Sequence, residues 1–235
     1  MSENNIPLST RMRPRTFDEV VGQNHLTGDA APLQKLMEQR QLPSLLLWGP
    51  PGSGKTTIAR LLAVSTGMTL ETISAVTSGM KELREVIQRA HQSRGQSNGP
   101  SLFSEQKKHG SILLFVDEIH RWNKAQQDAL LPHVEEGLIT LIGATTENPA
   151  FEIISALRSR CWLLQLEPLD VPALVALCQS ALANEDRGLG ARKLTATTDA
   201  LALIAEASMG DGRRCLALLE RAASTQADKG SINTE

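Results

Sequence analysis

Five stretches of the chain are rich in apolar residues and have the length of strands. Leu45–Trp48, Ile112–Val116 and Leu138–Ala144 are almost continuously apolar, which is typical of strands buried on both faces of a parallel sheet. Met68–Ile73 and Trp162–Leu166 are predicted as two further strands. The pattern therefore predicts an α/β fold with a five-stranded parallel sheet.

Helical spacing of apolar residues fills most of the sequence between these strands. It predicts helices over Leu33–Arg40 and Asn123–Glu136, and a further helix that begins after a capping signal at Ala75–Gly79. From Ser93 to Gly110 the sequence becomes polar and rich in glycine, and we expect an exposed loop there.

The hydrophobic pattern of the sequence changes after Glu167-Pro168, where the strand pattern ends. Only helical periodicity follows, over Val171–Ala183, Thr197–Ser208 and Asp211–Ala227. The predicted organisation is a flexible tail at 1–10, an α/β domain at 11–167 and a small all-helical lid at 168–235.

Composition narrows the classes of function. Aromatic residues are 3% of the chain, with no tyrosine, so a surface that stacks single-stranded bases on aromatic rings is not expected. The formal net charge is -2, which argues against a generally basic nucleic-acid binder. Any contact with DNA must then come from local clusters or from another subunit.

Cysteine usage and hydropathy indicate the compartment. Cys161, Cys178 and Cys215 have no CxxC spacing and are interpreted as reduced thiols, which is typical of a cytosolic or nuclear protein. No apolar run approaches the length of a membrane span, and the polar start at Met1–Thr10 is not expected to be a signal peptide.

A glycine-rich loop joins the first predicted strand to a helix. Glycines occur where a β-carbon would obstruct a tight turn, and a lysine and a threonine begin the helix. Backbone N–H groups in such a loop bind polyphosphate, so the sequence predicts a P-loop and hence a nucleoside triphosphate as ligand. The predicted nucleotide-binding residues here are Gly49, Pro50, Pro51, Gly52, Ser53, Gly54, Lys55, Thr56 and Thr57.

Polar residues follow two of the predicted central strands. Asp117 and Glu118 end one of them, and Thr146 follows another, at the edge where parallel sheets bind ligands. We expect Asp117 and the Thr56 hydroxyl to hold Mg²⁺, and Glu118 to act as the base for an attacking water. Thr146 is predicted to sense the γ phosphate, with Asn148 as a weaker candidate, and His120 is assigned a structural role.

Candidate site arginines lie at the end of one short predicted helix and at the start of the last predicted helix. Arg158 and Arg160 lie at the end of a short predicted helix, and an arginine without a partner in its own chain would be a finger that reaches a neighbour's γ phosphate. Arg213 begins the last predicted helix of the lid and could approach the phosphates.

The capping signal at Ala75–Gly79 predicts a second kind of site, a contact with the DNA backbone. Its candidate residues are Thr77, Ser78, Lys81 and Arg84.

Taken together, these motifs resemble an AAA+ ATPase of the clamp-loader branch. Three strings, ISAVTSG at Ile73–Gly79, DEIHRWNKAQQD at Asp117–Asp128 and IGATTENP at Ile142–Pro149, resemble the replication-associated recombination protein A family in particular. The resemblance implies that Val20, Val21 and Gly22 cradle adenine, that Thr146 is sensor 1, that Arg160 is the arginine finger and that Arg213 is sensor 2.

The same resemblance implies a DNA-stimulated, Mg²⁺-dependent ATPase that acts at stalled forks and single-strand/duplex junctions. Implied partners are DNA, single-strand-binding protein, replisome components and copies of the same chain in a homo-oligomer, expected to be a tetramer. The family also has a helical oligomerisation domain after the lid, so Glu235 is expected to end an ATPase core and lid. The implied location is the cytoplasm, at the nucleoid in a bacterium, or the nucleus in a eukaryote.

Three other functions stay open at this point. A Holliday-junction branch-migration motor and a clamp-loader subunit use the same fold, and each would require a further domain after the lid. A non-catalytic scaffold that binds ATP to hold a ring together belongs to another class, which the presence of Glu118 together with Arg160 disfavours.

Overall fold

The computed structural model describes residues 6–28, 31–38, 42–96 and 111–234. Seven strands are found in these residues: β1 Leu45–Trp48, β2 Thr69–Ser74, β3 Ile112–Asp117, β4 Ile139–Thr145, β5 Trp162–Gln165, β6 Thr195–Ala196 and β7 Ser231–Ile232. The α-helices of the same residues are α1 Leu8–Arg11, α2 Asn24–Thr27, α3 Pro32–Glu38, α4 Lys55–Thr66, α5 Met80–Gln96, α6 Lys124–Asp128, α7 Leu131–Glu135, α8 Pro149–Glu152, α9 Ser155–Arg158, α10 Val171–Ala183, α11 Thr198–Ala207 and α12 Gly212–Ser224.

Five strands form one parallel sheet in the order β2-β3-β4-β1-β5, which confirms the predicted α/β fold. The central strands are buried along almost their whole length, as their apolar sequences require. Their side chains join α5 and the 119–157 segment in one apolar core. This core supports the edge of the sheet at which β1, β3 and β4 end.

The chain divides into two compact units. One contains Gly28–Gly49 and Lys55–Leu166, and so includes the whole five-stranded sheet. The other contains the described residues of Met1–Thr27, Pro50–Gly54 and Glu167–Glu235. The tip of the glycine loop therefore belongs to the unit of the lid, whereas both ends of that loop belong to the unit of the sheet.

The lid helices α10, α11 and α12 enclose their own apolar core, built from leucines, alanines and the buried thiols of Cys178 and Cys215. The two sulfur atoms are 3.3 Å apart. The lid is not entirely helical as predicted, because β6 and β7 pair as a short parallel ribbon. Two residues per strand are too few to give a periodic signal in the sequence.

The predicted flexible tail at 1–10 is wrong for its second half, while residues 1–5 lie outside the described part of the chain. α1 begins at Leu8, whose side chain is completely buried in the core of the lid. The Leu8 N–H donates to Glu220 Oε1 at 3.0 Å, and Arg11 donates to the carbonyls of Arg187 and Gly188. One leucine in a mostly polar segment becomes structural here because distant residues bury it.

Two predicted boundaries also change. The helix expected over Asn123–Glu136 is divided into α6 and α7, because Pro132 lies in the first turn of α7 and has no N–H to continue the helix. α5 continues to Gln96, so the prediction of a loop from Ser93 is wrong for 93–96, and 97–110 lie outside the described residues. None of the described helices is both long and apolar enough to cross a membrane.

The burial of Leu8 generates a stability prediction. Leu8→Ala removes a fully buried side chain from the lid core and is expected to lower the free energy of unfolding by about 2–5 kcal/mol. The measurement is urea-induced unfolding followed by circular dichroism. Ile6→Ala is the matched control, because Ile6 is 47% exposed, and it should change stability by less than about 0.5 kcal/mol. Equal effects of the two substitutions would contradict the packing of α1.

Candidate functional site

The glycine loop lies between β1 and α4, and Lys55 is the first residue of the helix. Gly52 and Gly54 have φ values of +68° and +106°, which side chains with a β-carbon rarely adopt. The Lys55 side chain is buried, and its Nζ donates to the Gly49 carbonyl at 2.7 Å. The loop and the helix N-terminus therefore present backbone N–H groups and a buried ammonium group, a donor set that fits a polyphosphate.

The first glycine of the loop is held beside the end of β4. β1 pairs with β4 so that Trp48 lies opposite Thr145, and the Gly49 N–H donates to the Thr145 carbonyl at 3.2 Å. A β-carbon at Gly49 would lie 2.4 Å from the Leu166 carbonyl oxygen. Only glycine can therefore occupy this position without moving the backbone.

Asp117 and Glu118 lie at the same edge, because β3 is the other neighbour of β4. Glu118 has φ +53° and ψ +44°, a left-handed conformation that is uncommon for glutamate and turns the chain sharply after β3. The Thr146 hydroxyl donates to Glu118 Oε2 at 3.2 Å. The structure therefore brings together the predicted base and the predicted sensor from adjacent strands.

The same edge can be tested for its fit to Mg²⁺. No group of three or more His, Cys, Asp or Glu side chains that could hold a metal ion occurs in the described residues. Mg²⁺ commonly takes only one or two carboxylates and completes its coordination with phosphate oxygens and water. The half-buried residues Thr56 and Asp117 supply oxygens that match that donor set, so they fit a nucleotide-bound Mg²⁺ and not a metal cage made by the protein alone.

The two arginines of α9 and the turn after it differ in their contacts. Arg158 donates to the carbonyls of Pro149, Ala150 and Ile153, and so supports the end of α8. Arg160 forms an ion pair with Glu135 and donates to the Ala156 carbonyl, with 39% of its side chain exposed. The expectation of an arginine without a partner in its own chain is therefore wrong for both, yet Arg160 is the more accessible of the two.

The lid unit holds the tip of the glycine loop against the start of α12. The Gly212 N–H donates to the Gly52 carbonyl at 3.3 Å, and a β-carbon at Gly52 would lie 1.8 Å from Asp211 Oδ1. Asp211 caps α12 by accepting from the Arg213 and Arg214 N–H groups at 2.8 and 3.0 Å. Arg213 is exposed, and its guanidinium makes no hydrogen bond or ion pair among the described residues.

Comparison with known proteins identifies the family to which the chain belongs. A family model described as "ATPase family associated with various cellular activities (AAA)" matches residues 45–167, more than half of the 235 residues. The chain belongs to the AAA family of ATPases.

Curated relatives of this AAA chain agree with the resemblance found in its motifs. A protein named Replication-associated recombination protein A from Coxiella burnetii is 48% identical over 215 residues, which are 92% of this chain and 46% of the relative. Its namesake from Escherichia coli is 44% identical over 214 residues, which are 91% of this chain and 45% of the relative. The chain thus spans about half the length of the curated relatives it matches.

A solved structure supports the same fold. The Thermotoga maritima RuvB Holliday junction branch migration motor matches with a TM-score of 0.71 and 28% identity, covering 95% of this chain and 70% of that one. The fold of this chain is therefore similar to that of the RuvB motor.

The segment that the family resemblance assigns to adenine lies in the lid unit. Val20 and Val21 are half-buried, and Gly22 has φ +73° with a β-carbon position 2.5 Å from Leu169 Cδ2. The close approach of Leu169 explains the glycine.

Gln23 is a site residue that the sequence interpretation missed. Its side chain is completely buried, its Nε2 donates to the carbonyls of Ser53 and Glu167 at 3.3 and 2.8 Å, and its Oε1 accepts from the Glu167 N–H at 3.1 Å. It therefore joins three segments of the lid unit. A buried amide needs such partners, but a lone glutamine gives no signal of them in the sequence.

The predicted DNA-contact residues lie at the start of α5. Thr77, Lys81 and Arg84 are exposed, and the Ser78 carbonyl accepts from the indole N–H of buried Trp122 at 3.2 Å. The Gly79 N–H donates to Glu82, which lowers the pKa of that carboxyl group. The helix start is thus already capped by its own chain, and Lys81 and Arg84 carry the positive charge of this face.

Proposed function

We propose that this AAA chain binds ATP with Mg²⁺ and hydrolyses it to act on DNA during replication-associated recombination and repair. The observation that carries the proposal is the convergence of three adjacent strand ends, which deliver the P-loop, the Asp117-Glu118 pair and Thr146 to one edge of the sheet. The names of the 44–48% identical relatives supply the biological setting.

The roles of the residues follow from their chemistry. Lys55 and the loop N–H groups bind the phosphates, and Thr56 and Asp117 would hold Mg²⁺, which neutralises phosphate charge when bound. Glu118 accepts a proton from the attacking water, and Thr146 responds to the γ phosphate. Val20, Val21 and Gly22 cradle adenine, and Arg213 adds positive charge as the lid closes.

The remaining charge is proposed to come from Arg160 of a neighbouring copy. In its ion pair with Glu135, 39% of the Arg160 side chain and 47% of the Glu135 side chain are exposed. Exposed ion pairs contribute only about 0–1 kcal/mol to stability. A neighbour's γ phosphate can therefore replace Glu135 as the partner at little cost. The proposed assembly is a homo-oligomer, a tetramer in the full-length protein, and an isolated copy is expected to hydrolyse ATP slowly.

The proposed nucleic-acid substrates are stalled forks and single-strand/duplex junctions, with DNA stimulating turnover. Single-strand-binding protein and replisome components are the proposed protein partners. The proposed location is the cytoplasm, at the nucleoid in a bacterium, or the nucleus in a eukaryote.

The similarity to RuvB favours one second candidate function, that of a Holliday-junction motor. A comparison of forked, four-way and linear DNA as stimulators of turnover separates the two functions.

Two substitutions test the chemistry. Glu118→Gln should leave ATP affinity unchanged and lower turnover by about 10²- to 10⁴-fold, because it removes the base. Lys55→Ala should lower ATP affinity at least about 10-fold, because it removes a charged phosphate ligand. Calorimetry with Mg-ATP and a phosphate-release assay on the full-length oligomer with forked DNA measure both. Absence of turnover in the unmodified oligomer would indicate an ATP-binding scaffold instead.

Mixing two inactive variants tests the shared site. Arg160→Ala keeps the phosphate pocket and loses the finger, with an expected loss of about 10³- to 10⁵-fold in turnover. Lys55→Ala keeps the finger and loses the pocket. In mixed rings about a quarter of the seams combine both intact halves, so mixing should restore about a quarter of the activity. If Arg160 acts on its own protomer, the mixture stays inactive.

A double substitution tests the DNA face. Lys81→Ala with Arg84→Ala should weaken forked-DNA binding about 10-fold and reduce its salt dependence, because two phosphate contacts are lost. Fluorescence anisotropy at two salt concentrations measures this. Arg89→Ala is the matched control on the same helix, because Arg89 is held by a bidentate pair with Glu71 at 2.8 and 2.9 Å. An equal loss in the control would indicate only a general charge effect.

A further inference from the structure

His120 lies in a single 3-10 turn, Ile119–Arg121, directly after the acidic pair. Its side chain is 6% exposed, and its Nδ1 lies 2.9 Å from Thr145 Oγ1 and 3.3 Å from Glu118 Oε2. One ring nitrogen therefore faces both the end of β4 and the carboxylate that is the proposed base.

The surroundings of Nδ1 favour one tautomer. An ionised carboxylate oxygen can only accept hydrogen bonds, so an unprotonated Nδ1 would point its lone pair at Glu118 Oε2. The Thr145 hydroxyl can donate to the Glu147 carbonyl at 3.2 Å, and its oxygen already accepts from the Glu147 N–H at 3.0 Å. A proton on Nδ1 then satisfies both acceptors at once, whereas a proton on Nε2 leaves the contact with Glu118 repulsive.

Two side chains converge on the same atom of Glu118. The Thr146 hydroxyl reaches Oε2 at 3.2 Å, and His120 Nδ1 approaches Oε2 from the neighbouring turn. Among the residues that the structure describes, Oε1 receives no side-chain donor. Glu118, whose backbone is left-handed, thus meets both the Thr146 hydroxyl and the His120 ring through one oxygen.

We propose that His120 is a positioning residue for Glu118. Donation from its Nδ1–H holds Oε2 and leaves Oε1 to accept the proton of the attacking water. Thr145, which is completely buried, holds the imidazole in the required tautomer. This inference rests on the proposed ATP hydrolysis.

Paired substitutions test the inference, because two amides imitate different ring nitrogens. His120→Asn places an amide N–H near the position of Nδ1, whereas His120→Gln places it near that of Nε2. We expect His120→Gln to lower kcat roughly 10- to 100-fold with ATP affinity unchanged, because the base is misoriented. His120→Asn should retain kcat within about 3-fold, a rescue that a merely structural role does not predict.

A measurement on the unmodified protein does not depend on turnover. Nitrogen NMR of the full-length protein with ¹⁵N-labelled histidine, at about pH 8, distinguishes a protonated Nδ1 from a protonated Nε2. The signals of His120 are those lost in His120→Asn. We expect the Nδ1–H form, and a dominant Nε2–H form would overturn the inference whatever the two variants do.

The outcomes separate this inference from the proposed function. If Glu118→Gln abolishes turnover while His120→Gln does not, hydrolysis stands and the positioning role is wrong. If Glu118→Gln leaves turnover unchanged, Glu118 is not the base, and both the proposed mechanism and the role of His120 fall together. Loss of kcat in His120→Gln, its retention in His120→Asn and an Nδ1–H tautomer together support the inference.

Discussion

The pairing of β1 with β4, and of β4 with β3, is the constraint on which the rest of the site depends. Parallel strands in register end at one edge of the sheet, and here the hydrogen bond from the Gly49 N–H to the Thr145 carbonyl continues the ladder into the glycine loop. This bond sets where the loop leaves the sheet. A one-residue slip of β4 would turn the side chain of Thr145 to the other face of the sheet and separate Thr146 from Glu118.

The apolar core beneath this edge fixes the positions of the polar groups that follow the strands. β3 and β4 are buried along nearly their whole length, so their ends have little freedom to shift. The left-handed conformation of Glu118 is an uncommon one that such a rigid frame can hold. Hydrogen bonds at the border of a low-dielectric core are also stronger than in water, which favours a fixed network of Glu118, Thr146, His120 and Thr145.

The glycine loop links the chemistry to the lid by covalent continuity. Gly49 and Lys55 belong to the unit of the sheet, whereas Pro50–Gly54 belong to the unit that contains Asp211 and Gln23. Within that unit, Gln23 and Gly212 hydrogen-bond the backbone of the loop tip. The chain therefore passes from the unit of the sheet to the other unit and back within the loop itself.

The sequence by itself determined the elements whose signals are local. Continuous apolar runs predicted β1, β3 and β4, and the spacing of glycines, Lys55 and Thr56 predicted the loop between β1 and α4, because both depend on neighbouring residues. The acids after β3 and the threonine after β4 then predicted which residues meet at one edge, because parallel strands end on the same side of a sheet. The motifs carried the family resemblance, which the comparisons confirmed.

Only the tertiary structure decided what long-range packing controls. Leu8 is buried by residues far along the chain, Gln23 finds its partners at 53 and 167, and Arg160 pairs with Glu135. None of these partners is near in sequence, so no periodicity or motif records them. The tautomer proposed for His120 is argued from contacts of the same kind, because its two neighbours, Thr145 and Glu118, come together only when β3 and β4 pair.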